Sequence, residues 1–436
     1  MEERQTPWQF GLGSLQWFIF LLANAVALPI VIGGIYQLPL PEVMELMQRT
    51  FFVVGVTSFL QGWIGHRLPI ADGPAGSWVA VFTIFADMAI RQGHDLQQTL
   101  RILEGGMIMA GLLLIVLGAT GVMVRMRKLF TPLVTGSFLL LLGFQLSGVF
   151  LLGMLGAHGE PAKADLHTAL ISFGVFVLVI GLSVWGKGWM RGYAVLLGII
   201  AGWIAYSLSG KSGAVLPATD WFQLPRVFAW GMPVWDSGMA VAVVLFTLLL
   251  VSNTVAAVTA VSHMVPKRLE KEAGALNAGG WAGGITHLFS AVFSTVGIVP
   301  LPASAGFIGL TKQHRLRPFL TACIALSLIS LVPAVISKLS LLPGPVANAA
   351  LMASFVQLIA LGLQTITREA LDQRRLTILG VTFLFGVGTM FLPKTIFAQL
   401  PSVISYVCGN GLLLGTLLAI ALEQVWKKEK EVSVGA

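Results

Sequence analysis

Arg67-Leu-Pro-Ile-Ala-Asp-Gly-Pro-Ala-Gly-Ser77 places two prolines, two glycines and one carboxylate just ahead of the apolar run Trp78 to Phe85. Pro69 and Pro74 have no N–H to donate, and the residue before each proline favours extended backbone. The spacing therefore predicts an extended crossing followed by a half-helix. At membrane depth such backbone is tolerated only where it faces protein or a wet cavity. Asp72 falls near the start of the half-helix, where free N–H groups favour an anion. It suits a coupling proton or an N–H donor of a substrate; the plainer alternative is a capping carboxylate close to the surface.

A second stretch has the same character. In Gly297-Ile-Val-Pro-Leu-Pro-Ala-Ser-Ala-Gly-Phe-Ile-Gly-Leu-Thr-Lys312, Val299 and Leu301 precede prolines, and a short helix follows. Ser304 and Thr311 are its hydroxyls, and it holds no acid. Free N–H groups at its start can receive a carbonyl oxygen or a ring anion; a simple kinked helix is the alternative. The offset from Asn24 to Asn253 carries the first stretch onto the second. It also carries Ala23-Asn-Ala-Val-Ala27 onto Ser252-Asn-Thr-Val-Ala256, with Asn, Val and Ala matching. Ser252, Asn253 and Thr254 form a polar cluster inside the apolar span Ser237 to Ser262. Paired halves with interrupted segments in matching places predict a transporter whose substrate lies at the repeat interface.

Composition agrees. The 436 residues are 56% hydrophobic and 11% charged, with mean hydropathy +0.85, whereas soluble domains carry about a quarter charged residues. The chain reads as a polytopic membrane protein. Its charge-free run from Gln5 to Pro41 exceeds the roughly 20 residues that cross hydrocarbon and lacks the features of a cleaved signal. Cys323 and Cys408 both lie in apolar spans, which predicts neither a disulfide nor a metal site. No phosphate-binding loop, metal-spaced cluster or nucleophilic triad is present, so neither a cofactor nor an enzymatic reaction is expected.

Spans are expected near residues 12–33, 50–66, 69–85, 105–124, 131–152, 167–186, 192–209, 237–262, 280–297, 303–312, 318–337, 344–363, 376–393 and 402–424, with polar connections near 86–104, 153–166 and 210–236. With a cytoplasmic N-terminus, nineteen of the 27 Lys and Arg fall on the inner side. The net charge of +8 is then an orientation signal with both termini cytoplasmic, not a nucleic-acid surface.

Weaker signals lie elsewhere. Gln16 and Asn24 are two turns apart and face similarly, though membrane amides also serve simply to hold helices together. Gly279-Gly280 and Gly283-Gly284 flank Trp281 as a close-packing surface, followed by His287.

Several of these pieces resemble one family over nearly the whole chain. They are Gln16 with Asn24-Ala-Val-Ala-Leu-Pro29, Gly65-His-Arg-Leu-Pro-Ile-Ala-Asp-Gly73, Phe130-Thr-Pro-Leu-Val-Thr-Gly136, Arg191-Gly-Tyr-Ala-Val-Leu-Leu-Gly198 and Leu342-Pro-Gly-Pro-Val346. The sequence is similar to the nucleobase–ascorbate transporters, also called nucleobase:cation symporter-2. The family signature appears as Ala303-Ser304-Ala305-Gly306-Phe-Ile-Gly-Leu-Thr311-Lys312, with Gly306, Thr311 and the basic Lys312 kept.

The resemblance implies an all-α membrane fold of fourteen segments in two inverted repeats of seven, with extended stretches and half-helices in segments three and ten. It implies a core domain from residues 1–124 and 237–338, and a gate domain from 125–236 and 339–436. The expected cargo is a purine or pyrimidine base, carried with a proton or sodium through the bacterial inner membrane. A homodimer through the gate is also implied.

The departures concern chemistry. The family's eighth-segment carboxylate is replaced by Asn253, or by Ser252 within one residue. The first signature position is Ala303 where another acid can stand, its usual Asn is Ser304, and the usual His beside Gln16 is Trp17. Asp72 is the remaining carboxylate near the inferred centre and the candidate for proton coupling. Gln16, Trp17, Asn24, Asp72, Gly73, Ser252, Asn253, Ala303, Ser304 and Phe307 form the expected substrate site. Asn253 offers an amide donor and acceptor, Ser304 a hydroxyl, and Trp17, Trp78 or Phe307 an aromatic face. A small-anion transporter of the same general fold is the alternative; a receptor or scaffold would leave the duplicated broken segments unexplained.

Overall fold

The computed structural model describes residues 6–92, 95–156, 165–210, 220–262, 264–265, 272–393, 396 and 407–426. Helices α1 (Pro7–Ile35) and α2 (Leu40–Trp63) come first, followed by the strand β1 (Asp72–Pro74), α3 (Gly76–Gln92) and α4 (Leu96–Ala119). Then come α5 (Val122–Met126), α6 (Pro132–Met154), α7 (Leu166–Trp185), α8 (Trp189–Gly192) and α9 (Ala194–Leu208). Next come α10 (Ser237–Ser262), α11 (Glu272–Val292), the strand β2 (Ile298–Pro300), α12 (Ala303–Thr311), α13 (Leu316–Ser330) and α14 (Pro333–Leu339). Further along lie α15 (Gly344–Ile366), α16 (Gln373–Phe391) and α17 (Gly411–Val425).

Local chemistry sets the helix ends. Thr6, just before Pro7, and Gln9 in the first turn form a reciprocal capping box, which satisfies N–H groups the first turn would otherwise leave bare. Asp95, Asp165, Asp372 and Asn410 cap α4, α7, α16 and α17 by accepting from backbone N–H groups. Among the described residues, seven helices are long and apolar enough to cross a membrane. The bent pair α13–α14, which turns by 92°, would make an eighth. Leu166, Leu170, Val177 and Val184 stand exposed on α7, an apolar face suited to lipid but not to water. The chain is thus an all-α polytopic membrane protein apart from one small sheet.

The expected breaks at Leu68–Ser77 and Gly297–Gly306 are both present. β1 and β2 pair antiparallel, with Asp72 opposite Pro300, Gly73 opposite Val299 and Pro74 opposite Ile298. Leu301 N–H donates to Ala71 O at 2.8 Å and Ala75 N–H to Gly297 O at 2.9 Å. Each extended stretch therefore satisfies the other's backbone, meeting the demand that hydrocarbon makes on non-helical chain. All six paired residues are buried.

The helices also run further than charge alone suggests. α2 begins at Leu40 and α4 at Leu96, so Arg49 and Glu104, expected in outer connections, lie inside helices and are buried. Arg49 meets Glu45 at 3.5 Å, and Glu104 accepts from the Ser294 hydroxyl at 2.5 Å. Paired and hydrogen-bonded charges can be buried at tolerable cost, isolated ones cannot. The expected span at 402–424 falls partly outside the described residues, since 402–406 are not among them.

The chain divides into two compact units, one of Met1–Val124 with Leu146–Val356, the other of Arg125–Gln145 with Gln357–Ala436. The first contains both strands and both half-helices. The second packs around buried Leu133, Leu140, Ile366 and Ile378 and closes with the Arg374–Glu423 ion pair at 3.4 Å.

Candidate functional site

The β1–β2 pair organises the candidate site within the first unit. Asn253, midway along α10, donates its amide to Pro300 O at 2.9 Å. Ser304 at the start of α12 accepts from Ala71 N–H at 3.0 Å, and Asp72 N–H donates to Ser58 Oγ of α2 at 2.9 Å. Asp72, Asn253 and Ser304 are therefore gathered at one crossing, each tied to the strands. Gly73 lies between them, where a Cβ would press within 2.7 Å of the Leu301 side chain. Glycine is what lets that leucine close over the sheet.

The Asp72 carboxylate is buried and finds no hydrogen bond of ordinary geometry. The Thr57 and Thr286 hydroxyls are the polar groups beside it, and the Cys323 thiol of α13 is also near. The Ser252 hydroxyl on α10 is buried and unpartnered as well.

The front of α12 has a different character. Ala303 and Gly306, one turn apart, are exposed, and a Cβ on Gly306 would meet nothing within 4 Å. Beside this open face Phe307 packs against Trp17 and Phe20 of α1, with ring centroids 4.5 Å apart in each case, and Trp17 also meets Phe319 at 4.9 Å. Gln16 is half-buried on the neighbouring turn. Its Oε1 lacks a partner of normal geometry, although the Tyr193 phenol approaches it. The Ser304 and Ala305 N–H groups turn back onto Leu301 O and Pro302 O at 3.1 and 3.0 Å. Of the N–H groups expected to be free at the start of this half-helix, two are thus already engaged.

Other expected residues hold structure together. Asn24 donates to Phe20 O of its own helix at 2.7 Å. Thr311 accepts from Gln313 N–H at 3.3 Å and donates to Phe307 O at 2.8 Å. Lys312 ends α12 in the left-handed region at φ 60°, so this part of the signature terminates the half-helix. Trp78 is buried against Phe246 and donates Nε1–H to His287 Nε2 at 3.0 Å. His287 Nδ1 in turn bonds Gly283 O at 2.8 Å. His287 thus makes an interhelical hydrogen bond, the structural reading that its place in the sequence allowed.

Among the described residues no group of three His, Cys, Asp or Glu could hold a metal. What the site offers is a partly open wall of small residues, aromatic faces and a few hydrogen-bonding groups, backed by a sealed carboxylate.

A family model described as Permease family, Xan_ur_permease, matches residues 9–395. The chain belongs to this family. YwdJ of Bacillus subtilis is 33% identical over 432 residues, covering 96% of this chain and 97% of the relative. The uric acid permease PucK of the same organism is 26% identical over 99% of this chain and 98% of its own. The uric acid transporter UacT of Escherichia coli is 24% identical over 96% and 86%. In fold the chain is similar to the transmembrane domain of a cyanobacterium bicarbonate transporter, BicA, with TM-score 0.59, 13% identity and 94% and 96% coverage. It is also similar to the murine Slc26a9 anion transporter in the inward-facing state, with TM-score 0.63, 10% identity and 98% and 69% coverage.

The expected nucleobase:cation symporter-2 resemblance is thereby borne out. This permease is a multi-pass protein of the bacterial inner membrane that moves a small solute and makes or breaks no covalent bond.

Proposed function

We propose that this permease takes up a nucleobase, a purine such as xanthine or uric acid ahead of uracil, against its gradient and together with a proton. The observation that carries the reading is the meeting of Asp72, Asn253 and Ser304 at two broken segments, beside the open Ala303–Gly306 face of α12. Relatives named as uric acid carriers support the substrate class.

In this reading Gln16, Ser252, Asn253 and Ser304 supply hydrogen bonds to a flat ring with alternating donors and acceptors, and Trp17 and Phe307 cover its face. Asn24 and Gly73 shape the surroundings. Asp72 carries the coupling proton, with sodium the alternative ion. Fourteen segments in two inverted sevens form a core (1–124 and 237–338) that moves past a gate (125–236 and 339–436), exposing the site to each side in turn. Both termini are cytoplasmic, and the gate supports a homodimer.

Uptake of labelled xanthine, uric acid, uracil and adenine into cells lacking their own base carriers tests the reading. Accumulation of a purine that uncoupler abolishes is expected; no uptake and no competition by any base overturns it. Asp72→Asn should lose accumulation while keeping exchange. Uncoupler-sensitive accumulation by Asp72→Asn removes Asp72 from the coupling role.

A second reading, a small-anion transporter, is favoured by one feature: the open face carries Ala303 where an acid can stand, so it presents no negative charge to an anion. Competition by bicarbonate or sulfate, with none by bases, would select it.

A further inference from the structure

Four buried side chains between β1 and the C-terminal end of α2 hold polar atoms without a protein partner of ordinary hydrogen-bond geometry, although the Thr57 and Thr286 hydroxyls approach the Asp72 carboxylate. These atoms are both Asp72 carboxylate oxygens, Thr57 Oγ1, Gln61 Oε1 and His66 Nε2, on residues at most 1% exposed. Buried polar atoms left unpaired cost about 1–3 kcal/mol each. Native proteins meet that demand with ordered water, each molecule making about three hydrogen bonds. Thr57 and Gln61 lie one turn apart on the same face of α2, a rise of about 6 Å, which one bridging water spans. His66 follows just past the helix end at Trp63, and beside it Arg67 is exposed.

The opposite wall is made of α11 residues at matching helical spacing. A Cβ on Gly279 would sit 3.4 Å from His66 Cβ, and one on Gly283 would sit 3.5 Å from Gln61 Nε2. Thr286, the next residue on this stripe, stands beside Asp72. On α2's own side a Cβ at Gly65 would collide with Gln61 Oε1. Three glycines thus let the two walls of the row approach closely.

The bonds already made fix the row's polarity. Gln61 Nε2 donates to Gly279 O at 3.2 Å, leaving Oε1 as an acceptor. Leu68 N–H donates to His66 Nδ1 at 3.1 Å, so the neutral ring keeps its hydrogen on Nε2 and presents a donor. Of the other ionisable groups facing Asp72, Cys323 approaches from α13. His287 of α11 is committed to Trp78 and Gly283. α1, which also packs on β1, carries no ionisable side chain.

We infer that this row is a water-filled proton path from Asp72 to the end of α2 beside Arg67. The inference rests on the coupling role proposed above for Asp72. A proton leaves the Asp72 carboxylic acid for the first water. Each water passes one proton on as it receives one, and the last releases one beyond His66, so charge balances at every step. Thr57, Gln61 and His66 orient the water and are positioning residues; the His66 ring cannot relay, because Nδ1 is occupied by the Leu68 N–H.

The test uses purified full-length protein in proteoliposomes with a pH dye inside and xanthine added outside. Thr57→Val and Gln61→Leu should slow xanthine-driven internal acidification about tenfold, while xanthine counterflow at equal pH stays at the wild-type rate. Thr57→Ser should restore acidification. If Asp72→Asn loses acidification while Thr57→Val and Gln61→Leu keep the wild-type rate, the path alone is overturned. If Asp72→Asn still acidifies, the coupling reading falls and the path with it; wild type moving xanthine without protons has the same consequence. Equal losses of counterflow and acidification in both variants, unrelieved in Thr57→Ser, mark general disruption and also overturn the path.

Discussion

The Asn253 amide donates to the Pro300 carbonyl at 2.9 Å, and Pro300 is the residue paired with Asp72 across the two-stranded sheet. Asn253 is thus a side chain that holds a strand. A carboxylate at that position would face a carbonyl oxygen with nothing to donate.

Asn253→Ala should therefore destabilise the purified protein by about 1–3 kcal/mol, the cost of an orphaned buried acceptor. Asn253→Asp should do no better. Thermal unfolding in detergent measures both; an Asp variant as stable as wild type would mean that Pro300 finds another donor.

Gly306 separates packing from transport. Its Cβ position is open, and glycine inside a helix costs about 0.5–1 kcal/mol relative to alanine. Gly306→Ala should raise the melting temperature slightly, while Gly306→Leu folds but loses base uptake by obstructing the open face. Wild-type uptake in Gly306→Leu would place the substrate elsewhere.

The chain Trp78 Nε1–H to His287, and His287 to Gly283 O, fixes the base of α3. His287→Phe should leave the buried indole N–H unpaired and cost about 1–3 kcal/mol. Gly297→Ala should cost about as much by overpacking, because a Cβ there would overlap the Trp78 ring. Thermal unfolding and near-UV circular dichroism report both.

Glu104 lies within electrostatic reach of Arg49 inside the first unit, while Arg49 is paired directly with Glu45 and Glu104 accepts from the Ser294 hydroxyl. Removing Glu104 leaves Arg49 its contact with Glu45 but orphans the buried Ser294 hydroxyl, a loss of about 1–3 kcal/mol. Glu104→Leu should be destabilised by about that amount, and Arg49→Met with Glu104→Leu should cost less than the sum of the two single changes. A double-mutant cycle measures the coupling; strict additivity would show that the two do not interact.

The broken segments were legible because Pro69, Pro74, Pro300 and Pro302 act through covalent structure, which tertiary context cannot override. Their pairing register was not, since nothing in either stretch states which residue faces which. Charge led the boundaries astray at Arg49 and Glu104. A sliding reading treats every charge as a loop marker, yet partners distant in sequence, such as Ser294, allow burial. The polar site residues were found by type, but not the atoms already spent. Asn24 turns onto its own helix, Ser304 accepts from Ala71, and Thr311 and Lys312 finish α12.

The β1–β2 ladder also bears on how the protein is made. A ribosome delivers Asp72 to Pro74 long before Ile298 to Pro300, so the first strand must enter the bilayer with its main-chain groups unmatched. Until its mate emerges, it needs a stand-in, whether lipid headgroup, translocon wall or insertase. Biogenesis, more than the finished fold, is then the stage at which substitutions in this short ladder should prove lethal.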